Sequence, residues 1–262
     1  MAGIGFELRK LLKRNSYAGL LQAYLYAGVI SSGAWVLSIV GVLVIGVMSL
    51  STVEPDFLIT QFQVSVTHLM VASLVLTGAV QLAFTRYIAD RLFEKKGELV
   101  LPNFNGMLMV VMIVAGTSGI ALLFTLFVGT GTIYQLLMLC GFNVLCCIWV
   151  TTLFLSGMKL YRTIVAMYAM GYSLSVAAAL LLRPFGLEGL LGGFVFGHFL
   201  MLMGMMSLIY RTYPSRSFVA FDFMKKGVMY GNLKKNDVKT IIDQHLIGGE
   251  PVASLMVPSE VW

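Results

Sequence analysis

The chain has 262 residues, 58% of them hydrophobic and only 11% charged, against roughly 45–50% and about 25% in soluble globular proteins. So few charges cannot coat a soluble domain of this size, and the same figures exclude disorder. Mean hydropathy is +0.88. The net charge of +6 would suggest nucleic acid in a soluble protein. Here the basic residues sit in short connectors between apolar runs, as in the cytoplasmic loops of membrane proteins. The composition therefore defines an integral membrane protein whose surroundings are the lipid bilayer, with no nucleic acid as partner.

The chain opens with a short basic segment, residues 1–16. Leu8, Leu11 and Leu12 share one helical face there, and Arg9, Lys10, Lys13 and Arg14 share the other. That is the pattern of an amphipathic helix lying on the inner leaflet, or of a plain positive anchor.

Runs without Asp, Glu, Lys or Arg then follow at 15–53, 57–85, 99–158, 163–182 and 189–210. About 20 apolar residues cross a hydrocarbon core of roughly 30 Å, so the run 99–158 is long enough for two spans. Gly129-Thr130-Gly131 divides it with a turn. Six spans result: about 20–50, 57–84, 104–128, 132–157, 163–182 and 188–210. The first exceeds the core thickness, and Ser31-Ser32-Gly33 is its expected bend.

Loop charge sets the orientation. Arg9, Lys10, Lys13 and Arg14 precede span 1; Arg86, Arg91, Lys95 and Lys96 lie between spans 2 and 3; Lys159 and Arg162 join spans 4 and 5; Arg211, Arg216, Lys225 and Lys226 follow span 6. The opposite connectors hold Glu54, Asp56, Glu188 and a lone Arg183. With six spans, this places both termini in the cytoplasm of a bacterial inner membrane. The organisation expected is a basic segment 1–16, a six-helix bundle 17–213, a basic cytoplasmic segment 214–230 and a short soluble tail 231–262.

Gly189, Gly193 and Gly197 recur at four-residue spacing in span 6, as do Gly171, Ser175 and Ala179 in span 5. Such spacing lets helix backbones approach closely in lipid, either within one bundle or across a dimer. Span 2 is expected to continue past the membrane as a helix with one favourable i,i+4 ion pair, Arg86–Asp90.

Polar residues at membrane depth are costly, and they mark pathways or hydrogen-bonded packing. His68 and Gln81 lie on span 2, Asn143 on span 4 and His198 on span 6. With Arg86 they are the candidates for contact with a transported substrate. Asp90, Arg91, Lys95 and Lys96 are the candidates for docking a cytoplasmic partner. No Asp or Glu lies at mid-membrane, which argues against an ion-coupled multidrug exporter. Cys140, Cys146 and Cys147 fall within one apolar run, as small packing residues and not a metal or disulfide site. No nucleophile elbow, P-loop, metalloprotease motif or carboxylate pair occurs. Neither an enzymatic activity nor a metal or other cofactor is expected.

Several stretches carry a family resemblance: 1–12 (MAGIGFELRKLL), 26–35 (YAGVISSGAW), 85–93 (TRYIADRLF), and the region from 183–186 (RPFG) to 210–213 (YRTY). Over about 1–230 the chain resembles the PelG family, inner-membrane proteins of Pel exopolysaccharide biosynthesis. That family resembles MATE-type and polysaccharide flippases, built from two six-helix bundles around a cavity. The resemblance implies an all-α polytopic fold equivalent to one half of such a transporter. It also implies passage of Pel polysaccharide across the membrane, and partnership with the glycosyltransferase PelF and the membrane proteins PelD and PelE. A scaffold that docks those partners and moves nothing is the alternative. A second bundle does not follow in this sequence. The segment 237–252 (DVKTIIDQHLIGGEPV) is similar instead to the C-terminal end of thioredoxin-like [2Fe-2S] ferredoxins, without their cluster cysteines. The tail is therefore expected to be fused or out of context.

Overall fold

In a computed structural model, residues 36–126, 130–158, 160–213, 215, 217–222, 231, 237–247, 250 and 252–256 are described. The basic N-terminal segment, the first half of span 1 with its expected bend, Gly129 and most of 214–230 lie outside them. The chain divides into two compact units, Met1–Phe221 and Asp222–Trp262.

The first unit is a bundle of helices: α1 (Val36–Ser49), α2 (Phe57–Phe93), α3 (Val100–Leu126), α4 (Thr132–Gly157), α5 (Tyr161–Leu182) and α6 (Gly186–Thr212). Helix is the form that pairs every backbone group inside its own segment, as hydrocarbon requires. Hydroxyls in these helices follow the same economy. Thr67, Thr117, Thr125, Thr151 and Ser173 each donate to the carbonyl four residues back.

Four segments are long and apolar enough to cross a membrane: Phe57–Gly78, Gly97–Thr125, Thr132–Gly157 and Thr163–Thr212. The last is two helices. Pro184 has no N–H to continue α5, so Arg183–Phe185 tightens into a 3₁₀ turn. Gly186 then takes φ 66°, a left-handed conformation that favours glycine, and α6 begins. The described part of α1 is shorter than a crossing. The fold is an all-α polytopic membrane protein, as expected.

Several helix boundaries differ from the expected spans by a few residues: α5 begins at Tyr161 and not at 163, and α6 runs Gly186–Thr212 and not 188–210. α2 runs on to Phe93, carrying the expected extension. α3 begins at Val100 and not at 104, because Pro102 falls in its first turn, where the missing N–H has no helical partner to lose.

The helices thread back and forth between two ends. At one end the Arg183 guanidinium donates to the Met48 carbonyl at 2.9 Å, Gly131 lies beside Glu188, and Gly186 beside Leu58. At the other, Gly157 meets Ile88, Gly97 meets Tyr213, and Ala220 donates its N–H to Pro102 O at 2.9 Å. Glu54, Asp56, Arg183 and Glu188 belong to the first end; Arg86, Asp90, Arg91, Glu94, Lys95, Lys96, Glu98 and Arg211 belong to the second.

Aromatic contacts join the helices near both ends. Phe62 meets Phe194 edge-on at 6.3 Å between α2 and α6. Phe154 of α4 packs on Phe104 of α3 at 4.6 Å and on Phe84 of α2 at 6.4 Å. The outward faces are apolar: Ile39, Leu43 and Val47 on α1, and Met112, Ile113 and Phe124 on α3, are all exposed. Apolar faces of this extent suit lipid and not water.

The second unit is described as a four-residue helix, Asp237–Thr240, running into a π-helical turn at Ile241–Ile247 and a 3₁₀ turn at Ala253–Leu255. Leu255 O accepts the Gly231 N–H at 3.1 Å, and Val252 is buried.

Candidate functional site

His68 stands near the middle of the Phe57–Gly78 span. Its Nδ1 lies 2.8 Å from the Val64 carbonyl. A carbonyl only accepts, so Nδ1 carries a proton and donates to it. The ring is exposed and lines a crevice of about 240 Å³ between α2, α3 and α4. Leu69, Ala72, Gly119, Met138 and Phe142 supply apolar walls. Gly119 lets α3 and α4 close on each other, since a Cβ there would come 2.6 Å from Leu139.

The other expected pathway residues are dispersed. Asn143 is half-buried on α4; its Nδ2 donates to Leu139 O at 3.0 Å, and its Oδ1 lies against Gly116, one turn from Gly119. His68 and Asn143 thus both approach the same stretch of α3. His198 is elsewhere, fully buried between α5 and α6. Its Nδ1 donates to Phe194 O at 2.8 Å, with Ser175 Oγ at 3.0 Å, and its ring meets Tyr172 edge-on at 4.9 Å. Nε2 has no hydrogen-bond partner among the described residues. Arg86 is exposed on α2 near the basic end. Gln81 sits on α2 with its side chain outside what is described. No cavity described here is lined by more than one of the five.

Sequence reasoning passed over the polar groups that tie the helices together. Ser65 pairs with Tyr134 at 2.8 Å, Trp149 Nε1 donates to Ser73 Oγ at 2.9 Å, and Thr152 pairs with Tyr168 at 2.9 Å. The available signal was a small hydroxyl in an apolar helix, which does not say where its partner lies.

The docking candidates cluster at the end of α2. Glu94 bridges Arg91 at 2.9 Å and Lys96 at 3.1 Å. The Arg91 guanidinium also lies 5.4 Å from the Tyr87 ring centre. Lys95 takes φ 59° where the helix ends. Asp90 and Lys95 are exposed. The expected Arg86–Asp90 ion pair does not form. The i,i+4 spacing permits that pair without requiring it, since a surface pair returns little for ordering two side chains; the pairs that form are those to Glu94, where the helix ends.

These features define a multi-span helical membrane protein, with polar groups at mid-membrane and charge sorted to its two ends. The chain matches the PelG family model, described as "Putative exopolysaccharide Exporter (EPS-E)", over residues 1–234. It belongs to the PelG family, and so is a membrane component of exopolysaccharide export. No curated protein and no solved structure matches it.

Proposed function

We propose that the chain carries Pel polysaccharide across the bacterial inner membrane, with both termini cytoplasmic and with PelF, PelD and PelE as its partners. The family match across 1–234 is the observation that carries this reading. The threaded bundle supports it, because Glu54, Asp56 and Glu188 gather at one end and Arg86, Arg91, Lys95, Lys96 and Arg211 at the other. His68 places a polar ring at membrane depth but is exposed on this bundle. A polar passage facing lipid is costly, so a second helical bundle is required to close it.

The test is to express the full-length gene in a strain lacking its exporter and to assay secreted polysaccharide. Restored secretion is expected; protein present in the membrane without secretion would overturn the reading. Orientation is checked with Glu54→Cys and Lys95→Cys. Membrane-impermeant thiol reagents applied to intact cells should label position 54 and spare position 95.

The scaffold alternative draws on the charged end of α2, where Arg91, Glu94 and Lys96 converge outside the apolar span. Replacing His68, Gln81 and His198 together separates the two. Lost secretion with intact partner assembly favours transport; unchanged secretion favours the scaffold.

A further inference from the structure

Two crevices flank α2, and they differ in chemistry. The one containing His68 is otherwise apolar. The second, between α1 and α2, encloses about 340 Å³ and is lined by Ser38, Gln63 and Thr67 among Ile39, Val66 and Met70. That volume is at the lower end of the range for small-ligand sites, roughly 300–1,000 Å³. Gln63 lies six residues into α2, about 9 Å from its start, and Thr67 about 15 Å. The crevice therefore reaches from the outer part of a roughly 30 Å core to its middle.

Gln63 is the unusual member. The carboxamide can make up to four hydrogen bonds, yet it has no hydrogen-bond partner among the described residues. On the inner faces of α2 and α4 the opposite rule holds: Ser65, Ser73, Thr77 and Thr151 are buried and bonded. The space for Gln63 is also built into α1. Gly46 has no side chain at the point where the carboxamide nitrogen arrives, and a Cβ there would collide with it. Thr67 donates its hydroxyl proton to Gln63 O at 2.8 Å, which leaves Thr67 Oγ1 free to accept from a ligand.

We infer that the α1–α2 crevice is a glycan-contact site, in which Gln63 and Thr67 exchange hydrogen bonds with the hydroxyls of a sugar chain in transit. Sugar hydroxyls both donate and accept, and a carboxamide beside a hydroxyl oxygen answers both roles. The apolar remainder of the lining suits the carbon faces of the ring. This inference rests on the exporter reading and assigns the residues that serve it.

The experiment uses the full-length gene in a strain lacking its exporter. Variants are Gln63→Leu, Gln63→Asn, Thr67→Val and Thr67→Ser. Secreted polysaccharide is measured per unit of exporter in the membrane, quantified by immunoblot, so that a folding defect registers as lost protein. With two or three hydrogen bonds removed, Gln63→Leu should lower secretion about tenfold, and Thr67→Val about threefold. Gln63→Asn and Thr67→Ser should keep most of it. Secretion by Gln63→Leu at the parental level would overturn the site while leaving the exporter reading intact; a crevice filled by a lipid tail would give that result. Failure of the parental gene itself would overturn the exporter reading and the site with it.

Discussion

The α5–α6 hairpin and α3 solve the same packing problem in different ways. Along the hairpin, Gly171 faces Met201, Ser175 faces Gly197, and Ala179 faces Gly193, so the two antiparallel helices meet at backbone distance. α3 instead turns Met112, Ile113 and Phe124 outward and inserts Phe104, Met107 and Val111 into the bundle. In lipid, an apolar side chain gains nothing by leaving one hydrocarbon for another. What holds helices together is close fit and polar bonding. The hairpin has the fit, and α3 relies on large side chains and on polar anchors at its basic end.

The most damaging test of this contrast is Gly193→Ala. The added Cβ would fall on the Ala178–Ala179 backbone, which cannot rotate away as a side chain can. A loss near the upper end of the ~1–3 kcal/mol range for overpacking is expected, read as thermal unfolding in detergent and as lower membrane yield. Parental stability would show that the hairpin is not close-packed.

Asn105→Ala tests α3. Asn105 accepts from Tyr210 OH and donates to Phe218 O, each at 2.7 Å. It thus ties the start of α3 to the end of α6 and to the segment that follows. Removing it strands both partners, at about 2 kcal/mol. Amide exchange should rise at Phe218–Phe221, where Ala220 also bonds Pro102, and stay unchanged along α5. Unchanged exchange at Phe218–Phe221 would mean that side chains alone hold α3 in place.

Much of this fold was legible in the sequence, for a physical reason. A stretch of about 20 residues without charge has one stable form in lipid, so charge-free runs locate helices directly. The span 132–157 coincides with Thr132–Gly157. The small-residue spacing in spans 5 and 6 is used inside the bundle, where one of the two readings put it. Contacts set by three dimensions were not legible. Ser73 and Trp149 lie 76 positions apart, and no periodicity links them. Glu94 took the ion pairs because the helix ends there, which charge spacing does not reveal. His68 was legible as a polar group at depth. Its crevice depends on Ala72 and Gly119, from different helices, and its separation from His198 depends on the order in which the helices pack.

Two smaller effects sharpen the contrast. Ser175→Ala removes a hydrogen bond from the middle of the hairpin but leaves His198 Nδ1 donating to Phe194 O. If backbone fit holds the hairpin, the cost should be about 0.6 kcal/mol, the average for polar bonds between helices in lipid. A cost near that of Gly193→Ala would make the histidine, and not the glycine, the centre of the hairpin. Ile113→Leu on the outward face of α3 should change stability by less than about 0.5 kcal/mol, because Ile113 is 58% exposed and exchanges one hydrocarbon neighbour for another. A destabilisation above about 1.5 kcal/mol would mean that this face is buried against protein. It would then identify α3 as a wall shared with the second bundle, and the same substitution should also reduce secretion.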